Sequence, residues 1–208
     1  LSLAGSVGLD LFANASFVVL VVANSSLCAI SVTWMIFTVS NAQDKGLSPY
    51  QASAVVSLGA LGMLAGHLAQ GLLVDSEILT ARRLMYFANG LLVASFAASP
   101  FLTGSWSLWA GNVIFGLGYG MALPLMFTMV RRSVGADRMT AAVGLAEAVG
   151  AVARVSAGWM MGWIFDRTGS YDLSFALIGL VPCMTIVAFL LEDVWMFYQS
   201  RKCRPSSM

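Results

Sequence analysis

Six runs of about twenty apolar residues dominate this chain, and about twenty helical residues are what it takes to cross the hydrocarbon of a bilayer. The runs are Leu11–Val39, Ala52–Val74, Leu84–Leu102, Leu108–Val130, Ala141–Phe165 and Leu173–Leu191. Hydrocarbon offers no partner to backbone N–H and C=O groups, so runs of this length must close their hydrogen bonds internally, as helices. The connectors Asn41–Pro49, Asp75–Arg83, Ser99–Ser107, Arg131–Thr140 and Asp166–Asp172 are polar or rich in glycine and proline. Links this short make successive helices antiparallel neighbours. Composition agrees: 10% of the residues are charged and 59% apolar, against about 25% charged in a soluble domain. The expectation is an all-α membrane protein, with residues 1–208 forming one bundle of six transmembrane helices.

Lysine and arginine collect in cytoplasmic connectors. The second and fourth connectors and the C-terminal tail hold Arg82, Arg83, Arg131, Arg132, Arg138, Arg201, Lys202 and Arg204, and the opposite side holds Lys45 and Arg167. Eight against two puts the tail in the cytoplasm and, with an even number of spans, the N-terminus as well; the plasma membrane is the expected location. Trp34, Trp106, Trp109 and Trp163 then fall toward the outer interface and Trp195 toward the inner one, where amphipathic rings sit. Trp159 is one turn deeper, as packing or cavity wall. A formal net charge of +1 argues against a nucleic-acid partner, which needs a clustered basic face. Cys28, Cys183 and Cys203 are too few and too scattered for a disulfide framework or a metal site. The first two read as packing residues; Cys203 reads as part of a solvated basic tail, with palmitoylation as the alternative. The start Leu1-Ser-Leu-Ala-Gly5 has neither an initiator methionine nor the charged beginning of a signal peptide, and reads as part of a longer protein.

Two motif matches have structural readings. Asn14-Ala-Ser16 and Asn24-Ser-Ser26 fit the glycosylation sequon but fall inside the first run. Gly116, Gly118 and Gly120 spell GxGxG with no strand before them, so they read as small residues that let helices approach. Inside the spans stand three ionisable groups, His67, Glu147 and Arg154. Such groups cost about 2.5–3.5 kcal/mol on insertion scales and usually face a bundle interior or a water-filled cavity. Glu147 and Arg154 share nearly one helix face, about 10 Å apart along the axis. His67 lies at a depth comparable to Glu147, and the two are expected to meet across a central cavity. Arg154 can clamp a substrate carboxylate through a bidentate pair, and a histidine facing a glutamate can pass a proton. The competing reading is structural: Glu147 and Arg154 neutralise each other, and His67 is a satisfied polar residue between helices. Pro124, close after Gly120, interrupts the fourth span's backbone ladder, as a hinge or as a static kink. A single histidine, with no Ser-His pair or metal-spaced cluster, leaves no enzyme, metal or cofactor site to assign.

Gly71-Leu-Leu-Val-Asp75, followed by Arg82-Arg83, resembles the loop signature of the major facilitator superfamily, with Ser76-Glu77-Ile78 where that family has a basic residue and a glycine. Val143-Gly144-Leu145, Gly158, Gly162, Asp166, Thr168-Gly169, Tyr171, Ser174-Phe175 and Gly179, preceded by Gly116-Leu-Gly118-Tyr-Gly120, are similar to the last three helices of monocarboxylate transporters. The resemblance covers nearly the whole chain. It implies helices seven to twelve of a twelve-helix carrier that moves small monocarboxylates, such as lactate, pyruvate or a larger organic anion, by alternating access and often with a proton. The implied partners are that anion, a proton where coupling operates, membrane lipids, and a missing N-terminal half or a second copy. Substrate contacts are expected at Arg154, Glu147 and His67, a cytoplasmic latch at Gly71, Asp75, Arg82 and Arg83, and a hinge at Gly120 and Pro124. Two departures stand out. The aspartate and arginine of helix eight in proton-coupled members fall on Met63 and His67, which leaves proton coupling open, and the glycine-proline-proline of helix eleven falls on Ala157-Gly158-Trp159. A carrier of other organic anions, neutral solutes or drugs would share the architecture, and a non-transporting membrane scaffold is a further class.

Overall fold

A computed structural model describes residues 8–202. Its regular elements are α1 (Ala15–Asp44), α2 (Pro49–Asp75), α3 (Ala81–Ala98), α4 (Ser105–Val134), α5 (Met139–Thr168), α6 (Asp172–Ile178) and α7 (Leu180–Lys202), with 3-10 turns at Leu9–Ala13 and Ser99–Phe101. Among the described residues, six helical stretches are long and apolar enough to cross a membrane, and α6 with α7 supplies the sixth. Cys203, Arg204 and the side chains of Arg201 and Lys202 lie outside the described residues, so their readings rest on sequence.

Local chemistry sets the helix ends, and most helices outrun the apolar runs that announce them. The first run begins at Leu11, but Leu11 belongs to a 3-10 turn; α1 starts after Asn14, whose side chain accepts from the Ser16 N–H at 3.0 Å. The first sequon asparagine is therefore a helix cap at the edge of the span, not a residue inside it. At α2, Ser48 Oγ accepts from the Gln51 N–H and Gln51 Oε1 accepts from the Ser48 N–H, while Pro49 sits where a missing N–H costs nothing. Arg82 and Arg83, expected in a connector, stand in the first turn of α3 behind the Thr80 cap. Arg131 and Arg132 occupy the last turn of α4, where positive charge meets unpaired carbonyls. The link between α5 and α6 shrinks to residues 169–171, with Gly169 at φ 68 ending α5. The sixth span is interrupted at Gly179, whose added Cβ would lie 2.8 Å from that of Phe96. Pro182 follows and cannot donate to the Ile178 carbonyl, so the break has a chemical cause. The helix then runs beyond Leu191, the end of the last apolar run, as far as Lys202.

α1 and α4 form the centre. α5 packs on α1 and α2 on α4; α3 lies against α4, α7 against α1, and α3 and α7 touch. Coverage follows from this arrangement: 56% of the most apolar stretch of α1 is buried, against 28% in α2 and 22% in α5. The GxGxG stretch explains how α4 fits between two helices. Gly116 and Gly120 press on the α2 backbone at Gly59 and Met63, where a Cβ would overlap main-chain atoms. Gly118 turns the other way, and a Cβ there would sit 2.9 Å from the Ala88 carbonyl oxygen of α3. The glycines are packing surfaces.

Trp34, expected at the outer membrane interface, is instead buried inside the bundle. Its ring stacks on Phe115 at 5.3 Å, covers Gly59 and donates from Nε1 to Asn112 Oδ1 at 3.0 Å, so its polar edge is satisfied without headgroups. At the same end Lys45 Nζ donates to the Ser99 and Leu102 carbonyls and faces Asp172 at 3.0 Å. One lysine thereby joins the three links that the charge bias assigns to a common side. At the other end, Arg138 Nη2 contacts both carboxylate oxygens of Asp10 at 2.6 Å. That hydrogen bond holds the Asp10 carboxyl below its ordinary 3.8.

Candidate functional site

Seven residues of α-helix return a side chain to almost the same face, and the two charges of α5 use that spacing. Arg154 Nη2 donates to Glu147 Oε2 at 2.9 Å, with the side chains 40% and 39% exposed. The second carboxylate oxygen, Oε1, accepts from Asn24 Nδ2 of α1 at 3.2 Å, and the same amide donates to the Ala146 carbonyl at 3.1 Å. Asn24 is itself buried, so it acts as a fixed arm from the central helix. Gly150 makes the approach possible: a Cβ there would stand 2.6 Å from Cys28 Sγ and 3.1 Å from Asn24 Nδ2. Tyr119 of α4 reaches Ser31 of α1 beside this group, within electrostatic reach of both α5 charges. Three helices thus converge on one partly open ion pair. Sequence reading singled out Glu147 and Arg154 but missed Asn24, which the sequon match disguised, and Tyr119.

His67 stands apart. It is exposed, with Nδ1 against the Met63 carbonyl of its own helix at 2.8 Å. No hydrogen bond or ion pair joins it to Glu147 or Arg154 among the described residues. Their helices are held on different neighbours, α2 seated on α4 and α5 on α1. A cavity of about 410 Å³ bordering α5 lies on a different flank of that helix, lined by apolar residues such as Ala29, Val149, Ala153, Ile178 and Met184 together with Ser26.

At the arginine-bearing end, Arg82 holds α3 to α7. Nη1 contacts Glu192 Oε2 at 2.7 Å; Nη2 contacts Asp193 Oδ1 at 2.7 Å and donates to the Phe189 carbonyl at 2.8 Å. The guanidinium carbon lies 4.6 Å above the Phe189 ring, and the Tyr86 hydroxyl donates to Asp193 Oδ2 at 2.7 Å. Sequence reading missed Glu192 and Asp193. The available signal was two acids directly after the last apolar run, at the membrane side where Arg82 lies. Asp75 and Arg83 enter no ion pair among the described residues, and Gly71 faces open space. Glu77, in the loop where the resemblance has a glycine nearby, adopts φ 57, a left-handed conformation. Pro124 lies within the unbroken α4 and cannot donate to the Gly120 carbonyl, while Gly120 is pressed against Met63.

The sequence pattern of the Major Facilitator Superfamily matches residues 19–200. The chain belongs to this superfamily. Similar proteins include monocarboxylate transporter 13 of Rattus norvegicus, 29% identical over 68% of this chain and 33% of the relative. Monocarboxylate transporter 11 of Homo sapiens is 27% identical over 84% of this chain and 38% of the relative. Its Mus musculus counterpart is 24% identical over 97% and 45%. The superfamily chain therefore spans less than half the length of these relatives. With six membrane-crossing helices it is a multi-pass membrane protein, and its family points to a carrier rather than an enzyme.

Proposed function

We propose that the full-length protein is a secondary carrier of small monocarboxylates and that this chain is its C-terminal six-helix half. The observation that carries the reading is Arg154. Its guanidinium has five N–H donors, is partly exposed on the least covered helix, and is set in place by Glu147 and, through that carboxylate, by Asn24. A carboxylate arriving there finds a positioned planar fork suited to bidentate binding. The monocarboxylate transporters among the relatives support a substrate of that class. In alternating access the half rocks as a body against its counterpart about a site near the midplane. The uncovered faces of α2 and α5 dock that counterpart, a missing N-terminal half or else a second copy. Arg82, anchored to α7, steadies the start of α3, while Gly71, Asp75 and Arg83 form the side of the cytoplasmic latch that meets the other half. Gly120 and Pro124, which share one missing backbone hydrogen bond, give α4 a point at which to hinge. Glu147 and His67 are the groups available to a coupled proton. Both termini lie in the cytoplasm and the membrane is the plasma membrane.

A second reading has an observation in its favour. Glu147 already balances the charge of Arg154, so the pair as a unit is neutral and suits a neutral or zwitterionic solute. Uptake of labelled lactate and pyruvate into proteoliposomes by the full-length parent separates the two. Arg154→Gln is expected to reduce monocarboxylate uptake at least tenfold while leaving the protein folded. Unchanged uptake in that variant removes Arg154 as the anion contact, and uptake confined to uncharged compounds favours the second reading.

A further inference from the structure

The carboxylate of Glu147 is shared between two helices, and that sharing sets how much of Arg154 is left for a solute. A carboxylate and a guanidinium commonly close a fork of two parallel hydrogen bonds. Here only one forms: Arg154 Nη2 donates to Glu147 Oε2 at 2.9 Å. Nη1 and Nε of Arg154 have no partner among the described residues, and the side chain is 40% exposed. The cause is Asn24. Its side chain faces two acceptors, Glu147 Oε1 at 3.2 Å and the Ala146 carbonyl at 3.1 Å. Both are oxygens, so the amide must turn its nitrogen toward them, and its two N–H groups serve one each. Asn24 is 3% exposed and belongs to α1, the most covered span, so its position is fixed by the packing around it. Cys28 Sγ lies 3.6 Å from the same nitrogen, and Gly150 leaves room for both side chains.

We infer that Asn24 is a positioning residue for the transported molecule: by holding one oxygen of Glu147, it limits the ion pair to a single hydrogen bond and leaves the other N–H donors of Arg154 open to an oxygen of the solute. This role rests on Arg154 being the substrate contact. Without the amide, Glu147 Oε1 turns to Arg154 and the fork closes. An incoming oxygen then has to displace two bonds rather than one. The pair sums to no net charge in either arrangement, so the effect comes from the number of free donors and not from the charge of the site. Asn24 therefore acts on binding, through Glu147, and not on the rocking of the half.

The test is the concentration dependence of labelled pyruvate uptake by the full-length parent in proteoliposomes, with KM and the maximal rate taken separately. Asn24→Leu, close in size and without an N–H, should raise KM several-fold at an unchanged maximal rate. Asn24→Asp, which keeps the shape but repels Oε1, should raise KM as well. Glu147→Gln removes the competing charge and should lower KM, whatever it does to the rate. In the double variant Asn24→Leu with Glu147→Gln, KM should match that of Glu147→Gln alone, the non-additivity expected when one residue acts through another. Cys28→Ala, which alters packing beside Asn24 without touching Glu147, should leave KM unchanged. A wild-type KM in Asn24→Leu, while Arg154→Gln still reduces uptake, removes the role of Asn24 and keeps Arg154 as the contact. A lower maximal rate at unchanged KM, additive effects in the double variant, or an equal rise in KM with Cys28→Ala would make Asn24 a packing residue between α1 and α5. Unchanged uptake in Arg154→Gln overturns both.

Discussion

Glu77 shows how a single backbone angle can expose a departure from the usual loop chemistry. At φ 57 its Cβ crowds the following carbonyl, which costs roughly 1–2 kcal/mol for a residue other than glycine. Glycine at this position removes the crowding but gives up about 0.5–1 kcal/mol of unfolded-chain entropy. The strain outweighs the entropy, so Glu77→Gly should raise stability by about 0.5–1 kcal/mol in a denaturation series of the purified protein, and Glu77→Ala should not. The Arg82 cluster gives a larger effect of the opposite sign. Glu192 is only 5% exposed at its side chain, and removing its cation leaves a buried carboxylate unpaired, a change that costs about 3–5 kcal/mol. Arg82→Leu should therefore lower the melting temperature markedly, and Arg82→Leu combined with Glu192→Leu should recover most of the loss. A single variant as stable as the wild type would contradict the pairing. These residues also mark what could be read in advance. Glu147 and Arg154 were legible because an ionised group inside an apolar run has no cheap location. Asn24 and Glu192 were not, because their significance lies in partners more than a hundred positions away in the chain.

At the scale of elements, the six helices were legible because hydrocarbon thickness fixes a minimum run length, yet their ends were not. Helix ends are set by caps and by polar turns that reach into the headgroup region, and hydropathy does not register these. Hence Arg82, Arg83, Arg131 and Arg132 fall inside helices, although the sequence places them in connectors. The close contact of α2 with α4 was half visible: the glycines signalled proximity, but only the fold shows that Gly116 and Gly118 serve opposite neighbours. That division makes a sharp prediction. Gly116→Ala places a Cβ onto the Gly59 carbonyl with no flexible side chain to give way, so α2 must shift from α4. Gly90→Ala, on α3 with nothing within 4 Å of the added atom, removes a helix-interior glycine at a gain of up to about 1 kcal/mol. Thermal unfolding in one detergent should show Gly116→Ala strongly destabilised and Gly90→Ala equal to or above the wild type. Equal effects would mean that α2 and α4 are less tightly pressed together than this packing requires.

For the whole molecule, the uneven coverage of the helices poses the remaining physical problem. α2 leaves Leu61, Leu64, Leu68 and Leu72 exposed at 58–73%, and α7 leaves Val187, Leu190 and Leu191 exposed as well. Hydropathy treats the two faces alike, since lipid and a protein partner are both apolar. Their settings differ. α2 and α5 are the least covered helices and flank the central pair, whereas α7 is braced against both α1 and α3. With relatives more than twice the aligned length, the reading of this chain as half a carrier assigns the α2 face to protein and the α7 face to lipid. A photoreactive phenylalanine analogue at Leu64 in the full-length protein should give adducts that map to the N-terminal half of the same polypeptide. The same group at Leu190 should yield lipid adducts. Lipid adducts from both positions would leave α2 on the membrane-facing surface and remove the docking face from the carrier reading. Adducts from Leu64 to a second polypeptide would replace the intact carrier by a symmetric pair, with the Arg154 sites of two copies facing each other across the junction.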